Sequence, residues 1–314
     1  MKKFIKYIAV LLPVVAITAS CSMFKLDNFD GPNAQIHGKI IDPVTNEPVG
    51  IEATYSSELD IATLFASGFT IWNYVTVSKG ALVVNELGWK DRSGNEVYED
   101  QRWYVRFDGS YRNDLIFAAK YKAYMKELPC YEPDTTPEFE VSRGMNTLDI
   151  KAVPFCRIKS ADGSSNEPEI TYDATNDRLV ARFSVELSDP TKANSILNLK
   201  LCASKQLYVG ANYFNMVNYD GTTGDAGSHK DGGSYFGMVF PAAAPGTPVE
   251  LTLNCSKTGP NAELFEYKGK QDIYVRIAAQ AGGNNFNGEN LYNFSKVYKV
   301  SKDMKVTPVV WDEI

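Results

Sequence analysis

Histidine is nearly absent from this chain of 314 residues: only His37 and His229 occur. Imidazole is the side chain that ordinarily titrates near neutrality, so histidine-based acid–base or metal chemistry has almost no material here. Local catalytic motifs are missing as well, with no Gly-x-Ser-x-Gly elbow and no His-Glu-x-x-His. Cysteine is scarce, and Cys130, Cys156, Cys202 and Cys255 lack the close pairing that a structural zinc site uses. Past the N-terminus no apolar run approaches the ~20 residues of a membrane-spanning helix. Positive charge is also in deficit. A formal net charge of -6 excludes the basic footprint of a nucleic-acid binder and of a protein held to anionic lipid by a basic face.

What is present first is an address. Lys2, Lys3 and Lys6 form a basic start, Tyr7 to Ile17 is almost wholly apolar, and Thr18-Ala19-Ser20 leads into Cys21. That order is a secretory signal, and the cysteine makes it a bacterial lipoprotein signal. The apolar run is too short to span a bilayer. Residues 1–20 are therefore expected to be removed, leaving Cys21 lipidated and residues 21–33 as a tether. Export permits disulfides, and the four later cysteines allow three pairings. Buried free thiols are the simpler expectation.

The body reads as strands. Ile36, Gly38 and Ile40 alternate with His37, Lys39 and Ile41 before the turn residues Asp42 to Pro48. Trp103, Val105 and Phe107 alternate up to Asp108-Gly109, and Leu148, Ile150 and Ala152 repeat the pattern. In the second half Leu179, Ala181, Phe183 and Val185 form one such face. Val249, Leu251 and Leu253 form another, and Ile273, Val275 and Ile277 interleave with Tyr274 and Arg276. Period two implies half-buried sheets. One helix is expected after Ser57-Glu58-Leu59-Asp60, which resembles a capping box, with Ile61, Leu64 and Phe65 inward and Gly68 at its stop. Residues 57–79 read as an excursion from the first sheet. The polar stretch from Asp162 to Pro168 marks a boundary just before it. The fold class expected is all-β: two tandem β-sandwich domains, 34–156 and 157–314, with a short helical excursion in the first.

The segment Ala34 to Val49 resembles the first hairpin of transthyretin-like or carboxypeptidase-regulatory-like domains. Leu26 to Ala34 and Trp103 to Asn113 resemble a surface-lipoprotein family of gut anaerobes, the domain of unknown function 3823 family. The second half is similar to its immunoglobulin or fibronectin-type-III-like companion, on Leu201 to Ser204, Tyr274 to Ala279 and Tyr292 to Val300. This resemblance implies an outer-membrane accessory in glycan capture, encoded beside a transporter and a glycan-binding lipoprotein. It transfers no catalytic residues.

Candidate chemistry is modest. Asp91, Glu96, Glu99 and Asp100 are near in sequence, but a solvated loop explains them better than the paired carboxylates of glycoside hydrolysis. Asp220 to Gly233 invites calcium, yet Thr222 and Gly224 break the ligand spacing, so no cofactor is expected beyond the acyl lipid on Cys21. Aromatic residues near loops are the better binding candidates, because sugar faces stack on flat rings. Trp72 and Trp89 lead, followed by Tyr74, Tyr213, Tyr219 and Tyr235, although such rings also fill sandwich cores. Asp134-Thr135-Thr136 resembles a periplasmic O-glycosylation acceptor, with Thr135 modified. The expectation is a non-catalytic outer-membrane surface lipoprotein that binds polysaccharide or oligosaccharide. Its partners would be the membrane, a glycan, and a transporter with its glycan-binding lipoprotein, with no nucleic acid. A structural spacer or docking partner for that transporter is the first rival, and a glycoside hydrolase the second.

Overall fold

The computed structural model describes residues 31–59, 61–70, 74–211, 216–218, 229–230, 243–256, 265, 268–283 and 291–310. The N-terminal half holds β1 (Ala34–Ile41), β2 (Thr54–Leu59), α1 (Ile61–Ala66), β3 (Tyr74–Lys79), β4 (Ala81–Glu86) and β5 (Asp100–Tyr104). It continues with β6 (Ser110–Ile116), β7 (Lys120–Tyr124), β8 (Glu138–Glu140), β9 (Gly144–Thr147) and β10 (Ile150–Lys151). Next come β11 (Cys156–Lys159), β12 (Glu169–Asp173), β13 (Arg178–Leu187), β14 (Ser195–Ser204), β15 (Met216–Asn218) and β16 (His229–Lys230). The last are β17 (Val249–Asn254), β18 (Ile273–Gly282), β19 (Asn293–Phe294), β20 (Tyr298–Val300) and β21 (Val306–Pro308). The chain is all-β, as its alternation implies.

Strand β1 organises the first half. It pairs antiparallel with β6 and parallel with β9 and β10. A second sheet, in the order β5-β4-β7-β8, shares one core with it. The alternation in β1 puts Ile36 and Ile40 inside, each worth about 1.5–3 kcal/mol of burial. They meet an aromatic cluster in which the Trp103 ring lies 6.0 Å from Tyr111 and 5.8 Å from Tyr121. Gly38 occupies the inward position between them because the Leu148 carbonyl fills the space a Cβ would need. Tyr111 Oη donates to that same carbonyl at 2.6 Å, which gives its buried hydroxyl a partner.

The second half is a sandwich. One sheet joins β11, β12, β13 and β17, and a seven-stranded sheet runs β16-β15-β14-β18-β20-β21 with β19 beside β18. Leu179, Ala181, Phe183 and Val185 from β13 pack with Leu199, Leu201, Ala203, Val275, Ile277 and Ala279. Phe155 and Cys156 belong to this core.

Two local expectations need correction. Ser57 and Glu58 lie in β2, where they pair with Thr76 and Val75 of β3, so the helix starts later, at Ile61. A β-branched partner strand outcompetes a local cap. Phe65 does not pack inward with Leu64: it is exposed, edge-on to exposed Phe69 at 5.1 Å. Gly68 does close the helix, with φ of 64°, and the Phe69 N–H donates to the Leu64 carbonyl. Cys130, Cys156, Cys202 and Cys255 are free and buried. Burial pushes the Cys156, Cys202 and Cys255 thiols up to about 12, which keeps them protonated and poorly nucleophilic. Among the described residues, no helix is long and apolar enough to cross a membrane.

Candidate functional site

The two halves meet along a polar seam, and a cleft opens on it. Seam construction starts at the turn after β1. Asp42 accepts the Val44 N–H at 3.0 Å and the Thr45 hydroxyl at 3.2 Å, and Asn46 takes a left-handed φ of 57°. That turn presents the carboxylate to Arg157 of β11, whose Nε and Nη2 donate to it at 2.5 and 2.8 Å. Their side chains are only 5% and 10% exposed, so this is a buried, bidentate pair between the halves. Burial alone would raise the Asp42 pKa. The hydrogen bonds from Arg157 and Val44 outweigh it and hold the carboxyl below its usual value.

Three further links follow. Asn293 Nδ2 donates to the Pro129 carbonyl at 2.9 Å while its Oδ1 accepts the Cys156 N–H at 3.1 Å. Lys296 bridges Glu47 at 3.0 Å and Glu167 at 2.8 Å. Arg276, on β18, donates through Nε to the Ser295 carbonyl at 2.7 Å and through Nη2 to the Phe107 carbonyl at 3.1 Å. Its guanidinium lies 4.5 Å from the Phe294 ring centroid, a stacked cation. Gly50 lies against this guanidinium, and a side chain there would collide with Nη2. Arg276 is 3% exposed, and its Nη1 has no hydrogen-bond partner among the described residues. Burial pulls its pKa down to about 10, with Glu52, Cys202 and Asp108 opposing, so it stays charged at neutral pH.

The cleft has a volume of about 490 Å³. That lies within the ~300–1,000 Å³ of small-molecule sites, which favour domain junctions. Phe107, Phe294, Pro48 and Val310 line it together with Glu47, Asp108, Glu167, Arg276 and Lys296. Phe107 also packs on exposed Tyr208 at 5.3 Å, extending the aromatic wall toward solvent. Apolar ring faces beside fixed donors and acceptors suit a ligand that is both flat-faced and rich in hydroxyls.

The aromatic residues favoured by sequence are elsewhere. Trp89 is exposed on the arm of a hairpin, just before its Lys90–Glu96 bridge and paired to Val97, and it does not line the cleft. Tyr74 is in β3, with its side chain outside the described residues, as are Trp72, Tyr213, Tyr219 and Tyr235 altogether. So is most of Asp220 to Gly233, and among the described residues no acidic, histidine or cysteine cluster could hold a metal ion. Cys21 also lies outside them. Thr135 is exposed. The acidic loop is solvated as expected: Asp91 accepts the Ser93 and Asn95 N–H groups of its own turn, and Asp100 pairs with Lys126.

No protein-family model matches the chain. No curated protein matches it either. Solved structures do. A Bacteroides uniformis protein described as a candidate carbohydrate binding protein is 25% identical, with a TM-score of 0.54 over 89% of this chain and 100% of that one. A DUF3823 family protein from Parabacteroides merdae is 14% identical, with a TM-score of 0.54 over 86% of this chain and 99% of that one. This chain has the DUF3823 fold. A second such protein, from Bacteroides ovatus, aligns at 15% identity and a TM-score of 0.51 over 86% of this chain and 100% of that one. The DUF3823 fold thus accounts for both halves and the order in which they follow.

The cleft residues were not selected by sequence, although one signal pointed to them. Strand β18 reads Ile-Tyr-Val-Arg-Ile-Ala-Ala-Gln-Ala-Gly, a long apolar run holding one Arg and one Gln. A near-continuous apolar strand is one buried on both faces, so its lone cation has to be buried too.

Proposed function

We propose that this chain is a non-catalytic surface lipoprotein of the DUF3823 family, anchored to the outer membrane through Cys21, that captures glycan for uptake. One observation carries the binding role: the cleft at the seam combines ring faces with buried and rim charges. Likeness to a structure described as a candidate carbohydrate binding protein supports the same reading. Calorimetry of residues 22–314 against a broad panel of polysaccharides tests it, with heat expected from at least one member. Heat from none, together with co-purification with a transporter complex, would favour a spacer or docking role instead. The buried Asp42–Arg157 pair, which fixes one half on the other, is the feature such a spacer would use. Anchoring is tested separately: Cys21→Ala should release the protein to the soluble fraction, and retention on membranes would contradict it.

A further inference from the structure

The cleft is lined by charges of both signs. Four carboxylates line it, Asp42, Glu47, Asp108 and Glu167, against three cations, Arg157, Arg276 and Lys296. Their availability differs more than their number. Asp42 and Arg157 neutralise one another in a bidentate pair. A single Lys296 ammonium serves both Glu47 and Glu167, so the rim keeps one uncompensated negative charge and unused acceptor oxygens. Deeper in, Arg276 holds its Nη1 without a partner among the described residues. That atom is enclosed by protein, whereas Lys296, at the rim and partly exposed, spends two of its three N–H donors on Glu47 and Glu167 and keeps a third.

A rim with unused acceptors on Glu47 and Glu167 and an unused donor on Lys296 asks for a group that both donates and accepts. Hydroxyl does so. A carboxylate-bearing sugar would meet the Glu47 and Glu167 rim before reaching Arg276, and like charges brought together at a binding surface are strongly disfavoured. Phe107, on the cleft wall, supplies apolar ring surface for the pyranose.

We infer that the cleft between the two halves seats an uncharged oligosaccharide, with Lys296 donating its third N–H to a ligand oxygen and Glu47 and Glu167 turning away uronic acids. This rests on the glycan-binding reading above. The probes are uncharged gluco-, manno-, xylo- and galacto-oligosaccharides, alongside galacturonan and glucuronan oligomers, measured by calorimetry on residues 22–314. At least one uncharged oligomer is expected to bind, and every uronic oligomer at least about tenfold more weakly. Val310→Trp, at a half-exposed position on the cleft wall, should weaken binding at least about tenfold by occupying the cleft. Glu47→Gln with Glu167→Gln should narrow the discrimination against uronic oligomers by about threefold or more. Those two residues make only partly exposed pairs, so the fold should survive their replacement. If no oligomer of any kind binds, the glycan reading falls and takes this inference with it. If uncharged oligomers bind but Val310→Trp leaves affinity unchanged, the cleft is wrong while the glycan reading stands. Uronic oligomers binding as tightly as uncharged ones, or discrimination untouched by the double substitution, would overturn the ligand class alone.

Discussion

The ladder of β14 and β18 is buried on both faces, and the two faces are made of different material. Toward the second core it presents Leu199, Leu201, Ala203, Val275, Ile277 and Ala279. On its opposite side it presents Lys200, Cys202, Ser204, Arg276, Ala278 and Gln280, which are buried too. The apolar face needs only volume and shape, so many sequences could fill it. The opposite face needs a partner for every polar group. Lys200 lies 4.6 Å from the Tyr292 ring centroid, Asn198 donates to Tyr292 Oη at 3.0 Å, and Val209 and Ala211 pack over Cys202. One face stabilises the second sandwich. The other is covered largely by Val209, Ala211 and Tyr292 of the same half, and reaches the first half through Arg276, which donates to the Phe107 carbonyl at the cleft.

Substitutions can break this contrast, and the largest effect belongs to the apolar side. Phe183→Ala removes a fully buried ring and should cost about 3–5 kcal/mol, read from urea unfolding by tryptophan fluorescence. At the seam, Arg157→Ala strands the Asp42 carboxylate in a buried site and should cost about 3 kcal/mol. Replacing both partners, Asp42→Asn with Arg157→Met, should recover at least half of that loss. Equal losses from the single and double variants would mean that the pair acts through packing alone.

Acid should separate the seam from the apolar core as well. The Asp42 pKa is lowered from 3.8 in the folded protein, so its contribution is complete above that value and drains away as pH falls through the folded pKa. Thermal unfolding at pH 5 and at pH 3 should show the stability gap between wild type and Asp42→Asn closing at the lower pH. The smallest effect is expected at the exposed Arg112–Asp114 pair, where Asp114→Ala should change stability by less than about 0.5 kcal/mol.

Most of the fold was legible because strand periodicity is a local signal. Ile36, Gly38 and Ile40 point inward together, and Asp108-Gly109 makes the turn it suggests, with the Ser110 N–H donating to Asp108 at 3.1 Å. The start of α1 was not legible. Ser57-Glu58 carries a cap-like pattern, but the strand that captures those residues lies some twenty positions later, at Tyr74–Lys79. The cleft was obscured for a related reason. Taken without the apolar Ala278-Ala279 beyond it, the alternation of Arg276 with Val275 and Ile277 reads as a wet outer face, because period two alone distinguishes two sides of a strand without showing what covers either. Its lining comes from Asp42 to Gly50, Phe107, Arg157, Glu167, Arg276 and Asn293 to Lys296, which only the tertiary fold gathers.

The parallel pairing of β1 with β9 and β10 has a consequence for timing. Lys39 finds its hydrogen-bond partner, Asp149, 110 positions further along, and Asp42 meets Arg157 at a separation of 115. Closing so long a loop carries an entropic cost before any pairing is gained, and folds that depend on it form slowly. A chain emerging N-terminus first therefore holds its opening strand unpaired on that side until about half its length has appeared. The first half cannot lock prematurely, and a chain cut short before β9 lacks that closure entirely.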